Sequence, residues 1–131
     1  MKIEVSNGEI LDKYSIIEIK LERIAEEDKR VNIMNEYNAL TPVIQIMYTE
    51  ANANNDKLSF LQNELLNINK TLWNMEDIIR IHEVEERFDS DFIELARSIY
   101  YANDERIMIK KQINELTGSL LVEENYYEDY K

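Results

Sequence analysis

Apolar residues recur at alternating intervals of three and four along most of this chain. The longest series consists of Leu58, Leu61, Leu65, Ile68, Leu72, Met75 and Ile79. This spacing places the side chains on one face of a helix and is typical of a seam that packs lengthwise against a neighbouring helix. The pattern therefore predicts a long helix that continues to His82.

Shorter series with the same spacing occupy residues 10–24, 33–47 and 95–116. In the first of them, apolar residues also lie off the main face, so we expect that helix to be buried on more than one side. Short connections between long helices make them antiparallel neighbours. The sequence thus predicts an all-α protein: an antiparallel bundle of three to four long helices with coiled-coil-like seams.

Local signals mark where these helices begin and end. Ser6 precedes Glu9 by three residues, which is the spacing of a capping box, so the first helix is expected to begin near Asn7 or Gly8. Asp89 or Ser90 can cap the last helix. Gly118 supplies the left-handed conformation that ends it.

Other signals predict interruptions. Pro42 predicts a kink or a short break near residues 40–41, because proline removes a hydrogen bond and clashes with the preceding turn. Residues 51–56, ANANND, are predicted to be a loop. The segments 2–5 and 119–124 are β-compatible, and we expect that they can form a two-stranded pair that joins the two ends of the chain.

The composition agrees with few connections. The chain has 131 residues with two glycines and one proline, too few for the many turns of an all-β domain. This length is typical of one domain. We therefore expect a single helical domain over residues 1–131, in which residues 125–131 form a loose acidic and aromatic tail.

The charge balance limits the partners. Fifteen Lys and Arg face 27 Asp and Glu, which gives a net charge of −12 and argues against non-specific binding to nucleic acid or to an anionic membrane. The chain has no cysteine, which favours a reducing compartment. We expect a cytoplasmic protein, in the host cytoplasm if the source is viral. The expected partner is a second copy in a homodimer or another protein.

Arg106 stands out because it occupies a heptad position where an apolar residue is expected. Asn103 and Lys110 lie on the same helical face. Three donors on one face can hold a carboxylate or a phosphate. The alternative is that Arg106 pairs with an acid on a facing helix, such as Asp77 or Glu83, and fixes the register.

Lys20 and Arg97 complete the candidate anion-binding set. Lys20 lies in the first helix, which is expected to be buried on more than one side, and a partly buried lysine can donate to an anion. Its alternative role is to cover apolar surface with its stem while the head reaches water. For Arg97, the alternative is an exposed ion pair.

No metal or cofactor is predicted. His82 is the single histidine, and one histidine cannot supply the paired Glu-x-x-His arrangement of di-iron bundles. The chain contains no glycine-rich phosphate loop, no G-x-S-x-G and no H-E-x-x-H. No residue is therefore assigned a catalytic role, and whether the protein is an enzyme stays open at this point.

Three blocks resemble a family of small bacterial proteins known as a domain of unknown function. They are MKIEVSNGEILDKYSIIEIKLERI at the start, LWNMEDIIR at 72–80 and FIELARSIYYANDERIMIKKQINELTGSLLVEE at 92–124. Ser15 stands where that family usually has threonine. The resemblance implies a compact helical domain with no assigned activity, and it assigns no catalytic residues. The Asn- and Ile-rich composition is also compatible with a viral source.

Two functions fit these observations. The first is a non-catalytic helical assembly or protein-interaction module, indicated by the long apolar seams and the absence of catalytic motifs. The second is a small all-α enzyme or binder for an anionic metabolite, which would use a Lys and Arg cluster between helices. In that case the donors are Lys20, Arg97, Asn103, Arg106 and Lys110.

Overall fold

A computed structural model describes residues 1–125; residues 126–131, which make up most of the predicted tail, lie outside the described part. The described chain consists of four α-helices and one 3-10 turn. They are α1 (Asn7–Arg23), α2 (Glu27–Ala51), the turn Asn52–Asn54, α3 (Asn55–Val84) and α4 (Ser90–Thr117). The predicted all-helical class is therefore confirmed.

The predicted helix caps are present. Ser6 Oγ accepts a hydrogen bond from the Glu9 backbone N–H at 3.2 Å, and α1 begins at Asn7, directly after Ser6. Asp89 Oδ1 accepts one from the Phe92 N–H at 3.1 Å and caps α4. Gly118 ends α4 with a φ of 61°, the left-handed conformation that glycine adopts without strain.

Of the two predicted interruptions, a break at Pro42 is absent and the loop at 51–56 is shorter than expected. The helix α2 runs through Pro42 without a break, because buried Ile44 and Met47 anchor the following turns in the core. Tertiary packing thus outweighs the hydrogen bond that proline removes. The predicted loop at 51–56 is reduced to one 3-10 turn, in which Asn52 takes a φ of 51° and reverses the chain.

The α1 helix is the centre of the bundle. It contacts all three other helices, and α3 and α4 contact each other extensively on either side of a five-residue connection. The core consists of Leu11, Tyr14, Ile44, Met47, Leu58, Leu65 and Ile113. Leu58 and Leu65 are wholly buried, as the apolar series in α3 predicts.

The α1 helix covers only part of the α3–α4 pair. At about 1.5 Å per residue, the 30-residue α3 is roughly 45 Å long and the 17-residue α1 roughly 25 Å. Arg23, the last residue of α1, donates to Asn74 Oδ1, ten residues before α3 ends. We call residues 76–94, which lie beyond this contact, the hairpin end.

The expected β pair is not confirmed, since residues 1–125 contain no strand. Side chains join the two ends of the chain instead. The Asn7 N–H donates to Ser119 Oγ at 3.2 Å, and Asn7 Nδ2 donates to Thr117 Oγ1 at 2.9 Å. The Gly8 N–H donates to Asn114 Oδ1 at 2.7 Å. The Asn7 and Gly8 N–H groups, which have no partner within the helix, are thus satisfied by Ser119 just beyond α4 and by Asn114 in its last turn.

Gly8 permits this close approach. A Cβ atom at this position would lie 2.5 Å from the Lys110 carbonyl oxygen, a separation that atoms in contact do not reach. Glycine therefore allows α1 to touch the α4 backbone.

No helix in residues 1–125 is long and apolar enough to span a bilayer.

Candidate functional site

A buried polar cluster joins α1, α3 and α4. Asp12 and Ser15 on α1 and Asn69 on α3 are each at most 5% exposed. Asn69 Nδ2 donates to Asp12 Oδ1 at 2.9 Å and to Ser15 Oγ at 2.6 Å, and Ser15 Oγ donates to the Asp12 carbonyl at 2.7 Å. Buried polar groups need such partners, because an unsatisfied group costs about 1–3 kcal/mol.

Arg106 on α4 completes this cluster. Its Nε donates to Asp12 Oδ1 at 2.9 Å, a second guanidinium nitrogen donates to Asp12 Oδ2, and the third lies 3.4 Å from Asn103 Oδ1. The bond to the Asp12 carboxylate raises the pKa of Arg106 above its usual value. The two-point pairing fixes the plane of the guanidinium group.

The acid that pairs with Arg106 differs from the ones predicted. The sequence pattern suggested Asp77 or Glu83 on a facing helix, whereas the partner is Asp12 on α1. Asp12 is 2% exposed although it is charged, because three helices meet around it. The signal for burial at this position was the neighbouring Leu11. This apolar residue lies off the main α1 seam and indicates that this side of the helix is also buried.

Lys110 has its own carboxylate partners. Its Nζ lies 2.7 Å from Glu9 Oε2 and 3.7 Å from Glu123 Oε2. A hydrogen bond between Glu9 and Glu123 lowers the pKa of Glu9, as does Lys110, and the same bond raises the pKa of Glu123. Two carboxyl groups therefore share one ammonium and hold the segment after α4 against α1.

A groove of about 510 Å³ opens beside the buried cluster. Ile16 on α1 lines it together with residues from α3 and α4, among them Asn69, Trp73, Arg80, Tyr100, Asn103 and Arg106. Of the five residues predicted to form an anion site, Asn103 and Arg106 line this groove. Lys20, Arg97 and Lys110 are not among its lining residues.

Sequence reasoning missed several residues of this groove. Asn69 is a polar residue next to the apolar series of α3, between Ile68 and Lys70, and Trp73 follows Leu72 directly. Both lie one position off the seam that was used to predict the helix. Because both residues neighbour a seam position, the sequence indicated that they lie at the edge of the α3–α4 contact.

The hairpin end has a different character. Its large apolar side chains Ile78, Ile81, Val84, Phe88 and Ile93 are between 48% and 84% exposed. Residues 76–94 include eight acidic residues and two arginines, hence a net charge of −6. An apolar and acidic surface therefore lies where α1 no longer covers the helix pair.

His82 supports the turn of the hairpin from inside. It is 5% exposed, its Nδ1 lies 3.0 Å from the Arg87 carbonyl oxygen, and its ring packs against Phe92. The Phe92 N–H lowers the pKa of the capping Asp89, with a smaller contribution from His82. Within residues 1–125, no group of three or more His, Asp or Glu side chains is placed to hold a metal ion.

Comparison with known proteins yields one family. Its sequence model matches residues 1–130, almost the whole chain, and it is described as a family of unknown function, DUF6165. No curated protein and no solved structure matches the chain. The resemblance to a domain-of-unknown-function family is therefore confirmed at that level.

Proposed function

Because the chain belongs to this family of unknown function, which supplies no activity, we propose from its geometry a non-catalytic protein-interaction module. The hairpin end, residues 76–94, is the proposed docking surface. The observation that carries the proposal is the concentration of exposed apolar side chains there, with Val84 at 84% exposure.

Apolar exposure of this kind has a cost that a partner removes. Each square ångström of apolar surface taken out of water contributes about 25 cal/mol. Val84 and Phe88 lie at the turn, and Ile81 lies one helical turn before Val84. Clustered exposed apolar groups with a polar surround are typical of protein-interaction sites.

Charge decides which partner fits. Half of the chain's net charge of −12 falls within the 19 residues of the hairpin end. Two copies meeting there would bring like charges together, which is unfavourable. The proposed partner is therefore a basic amphipathic segment of another protein, with an apolar face flanked by Lys or Arg. Such pairing weakens as salt screens it.

The other predictions on function stay proposals with less support. A homodimer with a coiled-coil-like seam is the alternative occupant, but the apolar seams of α3 and α4 already pack on each other and on α1. An anion site built from Lys20, Arg97, Asn103, Arg106 and Lys110 is disfavoured because Asp12 and Glu9 pair with two of the cations. A cytoplasmic location belongs to the proposal, since the chain lacks cysteine.

The test uses a designed helical peptide with Leu along one face and Lys on its flanks. Calorimetric titration into the full chain is expected to give saturable binding that weakens as salt is raised. A variant with Ile81→Ser and Val84→Ser removes exposed apolar groups from the hairpin end. Its matched control carries Val31→Ser and Met34→Ser, two similarly exposed positions on α2.

We expect the hairpin-end variant to bind the peptide with an affinity lower by about tenfold or more, whereas the α2 control keeps the affinity of the unaltered chain. Equal affinity of both variants would contradict it, as would equal binding of a Leu and Glu peptide. Sedimentation of the chain alone gives the other decisive outcome. If the unaltered chain is a dimer and the hairpin-end variant is a monomer, the docking surface binds a second copy of the chain. This outcome would refute the proposal of a basic partner.

A further inference from the structure

A second surface, which adjoins the hairpin end and shares Glu76, Asp77 and Arg80 with it, carries a separate inference. It is the groove of about 510 Å³ beside the buried cluster. This volume lies within the range of roughly 300–1,000 Å³ that is usual for small-molecule sites. Unlike the exposed apolar residues of the docking surface, Asn69, Asn103 and Arg106 in this groove are held by hydrogen bonds to other side chains.

The floor of the groove is rigid because Asp12 holds Arg106 at two points. A guanidinium group has five N–H donors. Asp12 takes two of them and Asn103 takes one, so two remain for a ligand. The Asn103 side chain, which accepts from Arg106 through its oxygen, keeps its amide hydrogens as further donors. This floor suits a carboxylate.

The same groove also offers acceptors. Asn69 uses both amide hydrogens on Asp12 and Ser15, so its carbonyl oxygen is the atom it offers to the groove that it lines. Glu76 and Asp77 lie on the α3 wall. Carboxylate and amide oxygens accept hydrogen bonds from an ammonium group.

The charge balance distinguishes between ligand classes. Arg80 and Arg106 face three acids: Glu76, Asp77 and the Asp12 that lies beneath Arg106. The fixed charge is therefore −1, which disfavours a simple anion. A simple cation would leave the remaining Arg106 donors without a partner. A ligand with one carboxylate and one ammonium uses both sets.

The walls fix the remaining part of the ligand. Trp73 and Tyr100 line the groove together with Leu72 and Ile99. Aromatic and apolar walls favour a flat or apolar body. From this arrangement we infer that the groove binds a small zwitterion, namely a free amino acid with an apolar side chain.

Trp73 makes the inference directly measurable. It is the single tryptophan of the chain and lines the groove, so tryptophan fluorescence reports events at this site. The probes are L-phenylalanine and L-leucine, neither of which absorbs where tryptophan is selectively excited. Phenylpropionate and phenethylamine are the matched compounds that each lack one of the two charges.

We expect a saturable change in Trp73 fluorescence when L-phenylalanine or L-leucine is added. Each single-charge compound is expected to bind at least about tenfold more weakly than L-phenylalanine. Arg80→Gln and Glu76→Gln, both at exposed positions on the groove, are expected to weaken amino-acid binding about fivefold or more. The matched controls are Arg97→Gln and Glu94→Gln, exposed residues of α4 that do not line the groove.

Several results would overturn the inference while circular dichroism shows that all variants are folded. One is the absence of any saturable change with both amino acids up to millimolar concentrations. Another is equal binding of phenylpropionate, which would instead favour the anion site. A third is that the control substitutions weaken binding as much as the groove substitutions do. Peptide binding at the hairpin end is tested separately through Ile81 and Val84, neither of which lines the groove.

Discussion

The two halves of the α3–α4 pair differ in what covers them. Where α1 lies on the pair, charges are neutralised one by one, as Asp12 is by Arg106 and Glu9 is by Lys110. At the hairpin end, charges of one sign accumulate and apolar side chains face water. The same helices thus serve as a structural core in one half and as a surface in the other, and the difference lies in α1.

The largest expected effect tests the covered half. Arg106→Met leaves the Asp12 carboxylate buried without its cation, and we expect a loss of about 3–5 kcal/mol in the free energy of unfolding. Chemical denaturation measures it. The matched change Arg80→Met at the exposed hairpin end is expected to stay within about 0.5 kcal/mol.

Adding Asp12→Asn to Arg106→Met should recover part of that loss, because no charge is then buried. This double variant separates the missing ion pair from a simple loss of packing. The comparison of the two halves fails if Arg106→Met and Arg80→Met cost the same.

The next effect concerns the contact between α1 and α4. Gly8→Ala places a Cβ atom 2.5 Å from the Lys110 carbonyl oxygen, so α1 has to move away from α4. We expect a loss of about 1–3 kcal/mol in the free energy of unfolding. In an unhindered helix, alanine would be more favourable than glycine by up to about 1 kcal/mol, so even the sign of the change is informative.

A smaller effect is expected at the hairpin end. Asp89→Ala removes the cap of α4, which frees the Phe92 N–H. We expect faster amide hydrogen exchange in the first turn of α4 and no change in exchange for α1, since α1 does not cover this end. Ser6→Ala, which removes the corresponding cap of α1, is the matched variant. It should accelerate exchange through the covered half instead.

The smallest effect is a pH dependence confined to the covered half. Burial raises the pKa of Tyr14 to about 12, against an ordinary value of 10.0. The folded state therefore keeps a proton that the unfolded chain releases, and Tyr14 contributes stability below pH 10 that is lost as the pH rises towards 12. Tyr14→Phe should flatten this alkaline decline, measured by denaturation at several pH values.

Thr41→Val is the control for this prediction. Thr41 shares a hydrogen bond with the Tyr14 hydroxyl at 3.1 Å, but its replacement leaves the titrating group in place. The alkaline decline should therefore persist in Thr41→Val. If Tyr14→Phe leaves the slope as it is in the unaltered chain, burial of Tyr14 is not the cause.

Much of the fold was predictable because its signals are local. The caps at Ser6, Asp89 and Gly118 depend on residues a few positions away, and the sequence therefore located them correctly. The apolar series in α3 likewise predicted a buried face. Of the kink or short break predicted at Pro42, the break does not occur, because the burial of distant parts of α2 holds the helix together and a local rule does not include that packing.

The candidate site was predictable only in part. Arg106 was identified because a polar residue in an apolar series is visible in the sequence, and Asn103 because it lies on the same helical face three positions earlier. Their partner Asp12 was not, since it is 94 positions away from Arg106. Lys110 was assigned to a ligand because nothing local indicated that Glu9 would reach it. Pairings across the bundle depend on how α1 crosses α4, which heptad spacing does not encode.

The junction between Gly8 and Asn114 has a consequence for how the protein is made. The first helix bonds to Arg106, Asn114 and Ser119, so it cannot complete its packing until these residues have left the ribosome. The α3 and α4 helices are neighbours in sequence and can meet earlier. During biosynthesis the first helix therefore stays without these partners until α4 has emerged, and Arg106 of α4 then closes the bundle around Asp12.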